Sequence, residues 1–165
     1  MEARICYAHL GRRCVLRLVG EVRHTVSSVV EAIISEFLKV EESPEFIIDL
    51  TETVFIDSTN LGLIARIARE TWRRDAGKPI LVSSNADINA VIQSMGFAKA
   101  FDIVETHEAT SAELHEAPTP TDYADPGKAR RLLEAHEALI DLDERNRQTF
   151  QQVVDVLRRD SAREK

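Results

Sequence analysis

Short apolar runs alternate with helical segments through most of the chain. Residues 46–50 and 80–82 are almost wholly apolar, which favours strands that are buried on both faces. In the segments around these runs, apolar residues recur at helical spacing and predict helices that end near Val40, Arg74 and Met95. Strands that are joined through helices pair in parallel, so the alternation predicts an α/β fold.

A β-hairpin is expected at the start of the chain. Residues 4–9 and 14–19 flank Gly11, and apolar and charged residues approximately alternate in the second run, as in a strand. A last short strand is expected at 101–104. With the parallel strands, the hairpin predicts a mixed sheet of four to five strands against which the helices pack.

The regular alternation ends after about residue 108. Residues 109–125 include Pro118 and Pro120, have few large apolar side chains and show no periodicity. Such a composition is typical of an extended linker. We therefore expect one α/β domain at 1–108, followed by a linker at 109–125.

A helical extension is predicted at residues 126–160, because apolar residues again recur at helical spacing there. The polar run at 143–147 interrupts this stripe. It leaves open whether the extension is one long helix with a polar middle or two shorter helices. We expect the extension to fold back onto the domain and to add surface that selects the binding partner.

The overall charge argues against two classes of partner. The chain has 28 acidic and 21 basic residues and a net charge of −7, which repels phosphate backbones and anionic lipid. The first residues do not form the pattern of a signal peptide, and no apolar stretch approaches the ~20 residues of a membrane span. We expect a cytoplasmic protein that binds neither nucleic acid nor membrane.

Few residues suggest catalysis or metal binding. Cys6, His9 and Cys14 could contribute to a zinc site, but a fourth ligand at suitable spacing is missing. Asp57 has no second acid or histidine near it in the sequence, and the phosphate-binding GxxxxGK[ST] pattern is absent. We therefore expect no catalytic residue, no metal and no cofactor, and a protein that is not an enzyme.

The segment at 54–63 is the most informative about function. Its sequence, VFIDSTNLGL, leads from a short apolar run into Asp57 and Ser58 and then into the second predicted helix. Together with FIIDL at 46–50, this segment resembles the STAS family, the anti-sigma-factor antagonists of bacteria. Members of that family have an apolar-Asp-Leu strand, followed a few residues later by apolar-Asp-Ser and a helix that begins with glycine or asparagine, leucine and glycine.

The resemblance covers about residues 4–106 and implies the STAS fold. It includes Gly-Glu at 20–21 and Met-Gly-Phe at 95–97, in the family's order. Asn60 departs from the pattern, because many relatives have glycine there. Asparagine is among the residues that best tolerate special turn conformations, so the departure does not undo the match.

The resemblance also implies a phosphorylation switch. In this family a serine kinase, which is also the anti-sigma factor or a related regulator, phosphorylates the serine directly after the aspartate. This implies Ser58 as the target, with Thr59 as a weaker candidate, and a serine/threonine phosphatase that reverses the reaction. The unphosphorylated form is expected to sequester the regulator and the phosphorylated form to release it. The residues implied in partner binding are Glu21, Asp57, Ser58, Thr59, Asn60, Leu61, Gly62 and Arg66.

The charge of the phosphoryl group would supply the mechanism. It adds about −1.5 to −2 charges, and a helix N-terminus tolerates an anion, so the fold should survive. A partner docked on the same surface would instead meet a hydrated dianion beside Asp57. Relatives that carry a C-terminal helical extension suggest a flagellar or biofilm regulator as the captured protein.

Several alternatives stay open at this point. A serine at the start of a helix is also typical of an ordinary N-cap. The arginines of the second predicted helix form either a solvated face or a docking surface for an acidic partner; they are Arg66, Arg69, Arg73 and Arg74. The alternative function is a soluble STAS subunit of a membrane lipid or anion transporter, which a neighbouring transporter gene would favour.

Overall fold

A computed structural model of the chain, which describes residues 1–120 and 124–163, places five strands where the sequence predicts them. The strands are β1 (Arg4–Leu10), β2 (Arg13–Val22), β3 (Glu45–Asp49), β4 (Thr53–Ile56), β5 (Ile80–Val82), β6 (Asp102–Val104) and β7 (His115–Glu116). The helices are α1 (Ser27–Val40), α2 (Ser58–Arg73), α3 (Ala86–Ser94), α4 (Lys128–Leu142) and α5 (Asn146–Arg163). The short strands β4 and β7 are additional to the five expected ones.

Strand β2 holds the sheet together. It pairs antiparallel with β1 across a turn at Gly11, whose φ of +63° suits glycine. Its first half pairs in parallel with β3 and its second half with β4. The strand order is β6-β5-β3-β2-β1-β7, and β3, β5 and β6 are parallel to one another. The predicted mixed sheet and opening hairpin are therefore confirmed.

Strand β3 is buried on both faces, as its apolar sequence predicts. Phe46 belongs to the main core, which includes side chains from all five helices, and Ile47 belongs to a smaller cluster. That smaller cluster includes Ala109, and Leu114 packs against it. Residues 109–120 are therefore more than an extended linker: they add apolar cover to the sheet, and β7 pairs with β1. Their apolar residues are too few and too irregular for the sequence to show this.

The C-terminal extension is two helices, because the chain turns at the polar run that interrupts the apolar stripe. Asp143 follows the last residue of α4 with an extended backbone and is buried. Its carboxylate accepts a hydrogen bond from the Arg145 backbone N–H at 3.0 Å, and the Arg145 guanidinium and Lys99 ammonium lie 2.7 and 3.0 Å away. The turn thus fixes the end of α4 to the segment after α3.

The pKa of the Asp143 carboxyl is held well below its ordinary value by this arrangement. The hydrogen bonds from the Arg145 side chain and backbone are the main causes, and the hydrogen bond from Lys99 adds to them. A carboxyl whose pKa is depressed in the fold stabilises it above the unfolded-state pKa of about 4, and this contribution is lost as the pH falls below that value.

We therefore expect Asp143→Asn to lower the melting temperature at about pH 7 and to have a smaller effect at about pH 3. Thermal unfolding followed by circular dichroism at both pH values checks this. Glu113→Gln, at an exposed position, reports the effect of removing one exposed carboxylate. An effect of Asp143→Asn that is equal at the two pH values would contradict the prediction.

Candidate functional site

Ser58 lies where the sequence predicts, at the junction between a strand and a helix. Strand β4 ends at Ile56, and the backbone N–H of Asp57 donates to the carbonyl of Val22 at 3.1 Å. Ser58 is then the first residue of α2. Pairing between β2 and β4 therefore fixes the backbone directly before the serine.

The helix cap is Asp57 and not Ser58. The Asp57 carboxylate accepts hydrogen bonds from the backbone N–H of Asn60 at 3.0 Å and from its side-chain amide at 2.9 Å. The N-cap alternative for Ser58 is therefore wrong. Asn60, where many relatives have glycine, adds a second hydrogen bond that holds the capping carboxylate, and the Ser58 hydroxyl stays available for another contact.

That contact is with His136, in the C-terminal extension. Ser58 Oγ lies 2.9 Å from His136 Nε2, and His136 Nδ1 lies 2.6 Å from the carbonyl oxygen of Leu132. A carbonyl only accepts, so Nδ1 carries the hydrogen, and Nε2 of the neutral imidazole is an acceptor. In this tautomer Ser58 donates its hydroxyl hydrogen to His136, which is 5% exposed and lies against the Phe150 ring.

Helix α4 approaches α2 at backbone distance. An ideal Cβ on Gly62 would lie 2.5 Å from the carbonyl carbon of Ala135 and 2.7 Å from its Cα, and closer still to its carbonyl oxygen. Real Cβ atoms do not come this close to backbone atoms, so only glycine at position 62 allows the observed approach. The close packing places His136, the next residue of α4, over the first turn of α2.

An ion cluster ties α4 to α1 and α2. Glu31 on α1 lies 3.3 Å from Arg66, 2.7 Å from Arg130 and 3.4 Å from Arg131. Arg131 is 3% exposed and also binds the carboxylate of Asp125 through two hydrogen bonds of 2.7 and 2.8 Å. Burial alone would raise the pKa of Glu31. The hydrogen bond and charge of Arg130, and then the charges of Arg131 and Arg66, lower this pKa by more than burial raises it, so it lies below its ordinary value.

The residues implied in partner binding differ in accessibility. Glu21 is exposed and stands opposite Phe55 in the β2–β4 pair, so the sheet brings it close to the strand that leads to Ser58. Asp57, Ser58 and Arg66 are half-buried. The four remaining residues are buried in this conformation: Thr59, Asn60, Leu61 and Gly62. Leu61 is part of the main core, and Gly62 lies under α4.

The arginines of α2, and Arg74 directly after it, find acceptors within the chain. Arg66 pairs with Glu31, Arg69 lies 3.5 Å from Asp141 on α4, and Arg74 donates to two backbone carbonyls at 2.8 Å. One interpretation of the sequence is that these arginines dock an acidic partner. In the structure, acidic residues of α1 and α4 in the same chain already pair with two of them.

Sequence reasoning missed the residues that cover Ser58. His136 lies within the apolar stripe of the extension and Arg131 is buried beside it, and a polar side chain among apolar positions is the one signal that could have identified either. No pattern in the sequence connects position 136 to position 58, because the two residues are brought together by helix packing.

The described part of the chain holds no cluster of metal ligands. Cys6 and Cys14 are buried, unpaired thiols, and burial raises the pKa of Cys14 to about 12. His9 lies 2.8 Å from Glu41. In residues 1–120 and 124–163, no three side chains of His, Cys, Asp or Glu come together as a metal site would require. Among the helices of these ranges, none has the length and apolar character to span a membrane.

Comparison with known proteins places most of the chain in one family. The family model for the STAS domain matches residues 5–111. The match ends before α4, so the helices that cover Ser58 lie outside it. No curated protein matches the sequence.

Solved structures of anti-sigma factor antagonists share the fold. One from Mycobacterium paratuberculosis is 19% identical with a TM-score of 0.55, and the match covers 64% of this chain and 87% of that one. The anti-sigma factor antagonist SpoIIAA in its unphosphorylated form is 24% identical with a TM-score of 0.52, over 65% and 93% of the two chains. The Bacillus cell fate determinant SpoIIAA in its phosphorylated form is 26% identical with a TM-score of 0.51, over 64% and 96%. The predicted STAS fold is confirmed.

Proposed function

The chain belongs to the STAS domain family, and on this basis we propose that it is an anti-sigma-factor antagonist whose partner binding is switched by phosphorylation of Ser58. The observation that carries the proposal is the position of Ser58, directly after the capping aspartate and in the first turn of α2. A related fold is known in a phosphorylated form, that of SpoIIAA.

The first turn of α2 suits a phosphoserine electrostatically. Backbone N–H groups without helical partners and the helix dipole stabilise an anion there. In the reaction, Ser58 Oγ attacks the γ-phosphorus of ATP held by the kinase. The new O–P bond replaces the bond to ADP, which leaves, and the serine proton passes to a base of the kinase. The product carries about −1.5 to −2 additional charges at the first turn of α2.

An accessible surface next to Ser58 supports partner docking. Val54 and Phe55 of β4 are exposed apolar residues, and the guanidinium of Arg23 stacks on the Phe55 ring at 4.5 Å from its centroid. Glu21 lies beside them in the sheet. A regulator bound here would contact Asp57 and Ser58 at its border, where a dianion would repel acidic groups and require desolvation.

The partners that we propose are proteins. The regulator is an anti-sigma factor or a serine kinase, and a serine/threonine phosphatase restores the binding form. More specifically, we propose that the captured protein is a flagellar or biofilm regulator. The chain has no catalytic part in it.

The test is phosphorylation by the kinase of the histidine-kinase-like ATPase type that is encoded nearest to this chain. With ATP, the wild type should gain one phosphoryl group by intact mass, and fragment spectra should place it on Ser58. Ser58→Ala should abolish it, and Thr59→Val, a substitution of similar shape at a buried position, should not. Phosphate on another residue would refute Ser58 as the switch.

A binding measurement forms the second part of the test, with the same kinase immobilised in the role of the captured regulator. Unmodified chain should bind at least about tenfold more tightly than phosphorylated chain, which corresponds to about 1.4 kcal/mol. Ser58→Ala should bind in the presence of ATP, but with a stability lowered by about 1–3 kcal/mol, because it leaves the buried His136 Nε2 without its donor. Equal affinity of both forms would refute a phosphorylation switch.

A further inference from the structure

We propose that α4 and a phosphoryl group on Ser58 exclude each other, so that the C-terminal extension regulates access to the switch residue. This inference rests on the proposed function in one respect, that Ser58 is the residue modified. In the closed form α4 covers Ser58. Phosphorylation requires α4 to move off α2, and the phosphorylated chain keeps it off.

The first argument is the space around the hydroxyl. Oγ lies 2.9 Å from His136 Nε2, a distance filled by one hydrogen. A phosphoryl group would place a phosphorus and three oxygens in that region. The imidazole cannot rotate away in place, because Nδ1 is held by the Leu132 carbonyl at 2.6 Å and the ring lies against Phe150. The docked α4 therefore leaves no room for a phosphoryl group in the direction in which the Ser58 hydroxyl now points.

The second argument is charge. In the neutral imidazole with its hydrogen on Nδ1, Nε2 presents a lone pair to Ser58. That lone pair accepts a hydroxyl hydrogen but repels a phosphate oxygen. Protonation of the ring would remove the repulsion, but it would not create the missing space. With a neutral ring the contact favours the unmodified serine by charge as well as by space, and with a protonated ring it does so by space alone.

The third argument is access. Ser58 is half-buried, and its hydrogen is donated to a histidine of the same chain. A kinase must reach Oγ in line with the γ-phosphorus and accept the same hydrogen. Because the backbones of α2 and α4 already touch at Gly62 and Ala135, a kinase loop cannot enter between the helices one turn from Ser58. Phosphoryl transfer therefore proceeds from the open form.

Ion pairs at the N-terminal end of α4 stabilise the closed form. Arg130 and Arg131 bind Glu31, and Arg131 binds Asp125. Two binding events that exclude each other are linked reciprocally: whatever weakens the docking of α4 makes Ser58 more reactive by the same factor. Loss of the Arg131 contacts should therefore expose Ser58 without any change to α2 itself.

Hydrogen exchange tests the exclusion without a kinase. The full chain is made with phosphoserine encoded at position 58, and its amide exchange is compared with that of the unmodified chain by mass spectrometry. We expect exchange at 132–142 to be at least about tenfold faster in the phosphoserine chain, with β3 unchanged. Phosphoserine at Ser84, an exposed position, is the matched control and should leave 132–142 protected. Equal protection of 132–142 with and without phosphoserine at 58 would overturn the proposal.

Thiol labelling supplies a second measurement, which remains informative if the phosphoserine chain unfolds as a whole. Ser58→Cys is treated with iodoacetamide, and Ser84→Cys marks the rate at an exposed position. The native thiols are buried, and the wild type gives their background rate. The thiol introduced at position 58 should react at least about tenfold more slowly than the one at position 84, and adding Arg131→Met should remove most of that difference. Equal rates at 58 and 84 in the closed chain would overturn the proposal.

Both measurements are independent of any kinase or captured regulator. A kinase that modifies a different residue would therefore refute the proposed function and leave the exclusion between α4 and phosphoserine intact. Conversely, a chain phosphorylated on Ser58 whose α4 stays protected would refute the exclusion and leave the switch in place.

Discussion

Replacing Arg131 with methionine should lower the free energy of unfolding by about 2 kcal/mol, the magnitude expected when charge-assisted hydrogen bonds are lost. Arg131 is 3% exposed and binds two carboxylates, those of Asp125 and Glu31. Methionine preserves most of the apolar stem but leaves both carboxylates without this donor. Glu31 would still be paired with Arg66 and Arg130, so the larger part of the loss should come from Asp125.

Urea denaturation of the full chain at neutral pH measures this loss. Lys128→Met is the matched control, since Lys128 is an exposed cation on the same helix, and it should change the free energy of unfolding by no more than about 0.5 kcal/mol. If Arg131→Met were as mild as Lys128→Met, the buried contacts of Arg131 would not stabilise the folded chain.

Gly62→Ala should also destabilise the full chain, against the expectation from helix propensity. In an isolated helix this change is favourable by about 1 kcal/mol. In this protein the added Cβ meets the backbone of Ala135, which no side-chain rotation can relieve. Overpacking of this kind costs about 1–3 kcal/mol, and a contact with backbone atoms belongs at the upper end. We therefore expect a net loss of about 2 kcal/mol.

Gly127→Ala is the matched control for the extra methyl group. A Cβ at Gly127 would lie 3.4 Å from the guanidinium of Arg130 and 3.5 Å from that of Arg131, which is ordinary contact, and the backbone φ of −90° is ordinary as well. Gly127 is the N-cap of α4, where glycine is preferred to alanine, so this variant should cost no more than about 1 kcal/mol. The double variant Gly62→Ala with Arg131→Met then tests whether the two sites act on the same contact. If α4 is already detached by the loss of Arg131, the cost of Gly62→Ala should largely vanish, whereas strict additivity would show that the two effects are independent.

The position of the candidate site followed from local patterns. A short apolar run, an acidic residue and the start of a helical repeat within 54–63 were enough to place Ser58 at a strand-to-helix junction, because strand and helix signals depend on residues a few positions apart. The mixed sheet followed in the same way from the order of strands and helices. The sequence did not show which of two adjacent polar side chains caps α2. Both Asp57 and Ser58 are suitable caps, and the extra hydrogen bond from Asn60 favours the aspartate.

The cover over Ser58 could not be read from the order of residues. The apolar stripe of α4 predicts that this face is buried somewhere, but many apolar surfaces would serve equally well, since hydrophobic burial is not directional. What selects α2 is shape and charge between distant segments. Gly62 lets the backbone of Ala135 approach, Glu31 on α1 supplies a charge for the buried Arg131, and His136 then comes within 2.9 Å of Ser58. These contacts exist only once the chain has folded, because they join residues separated in sequence by dozens of positions or held in place by packing.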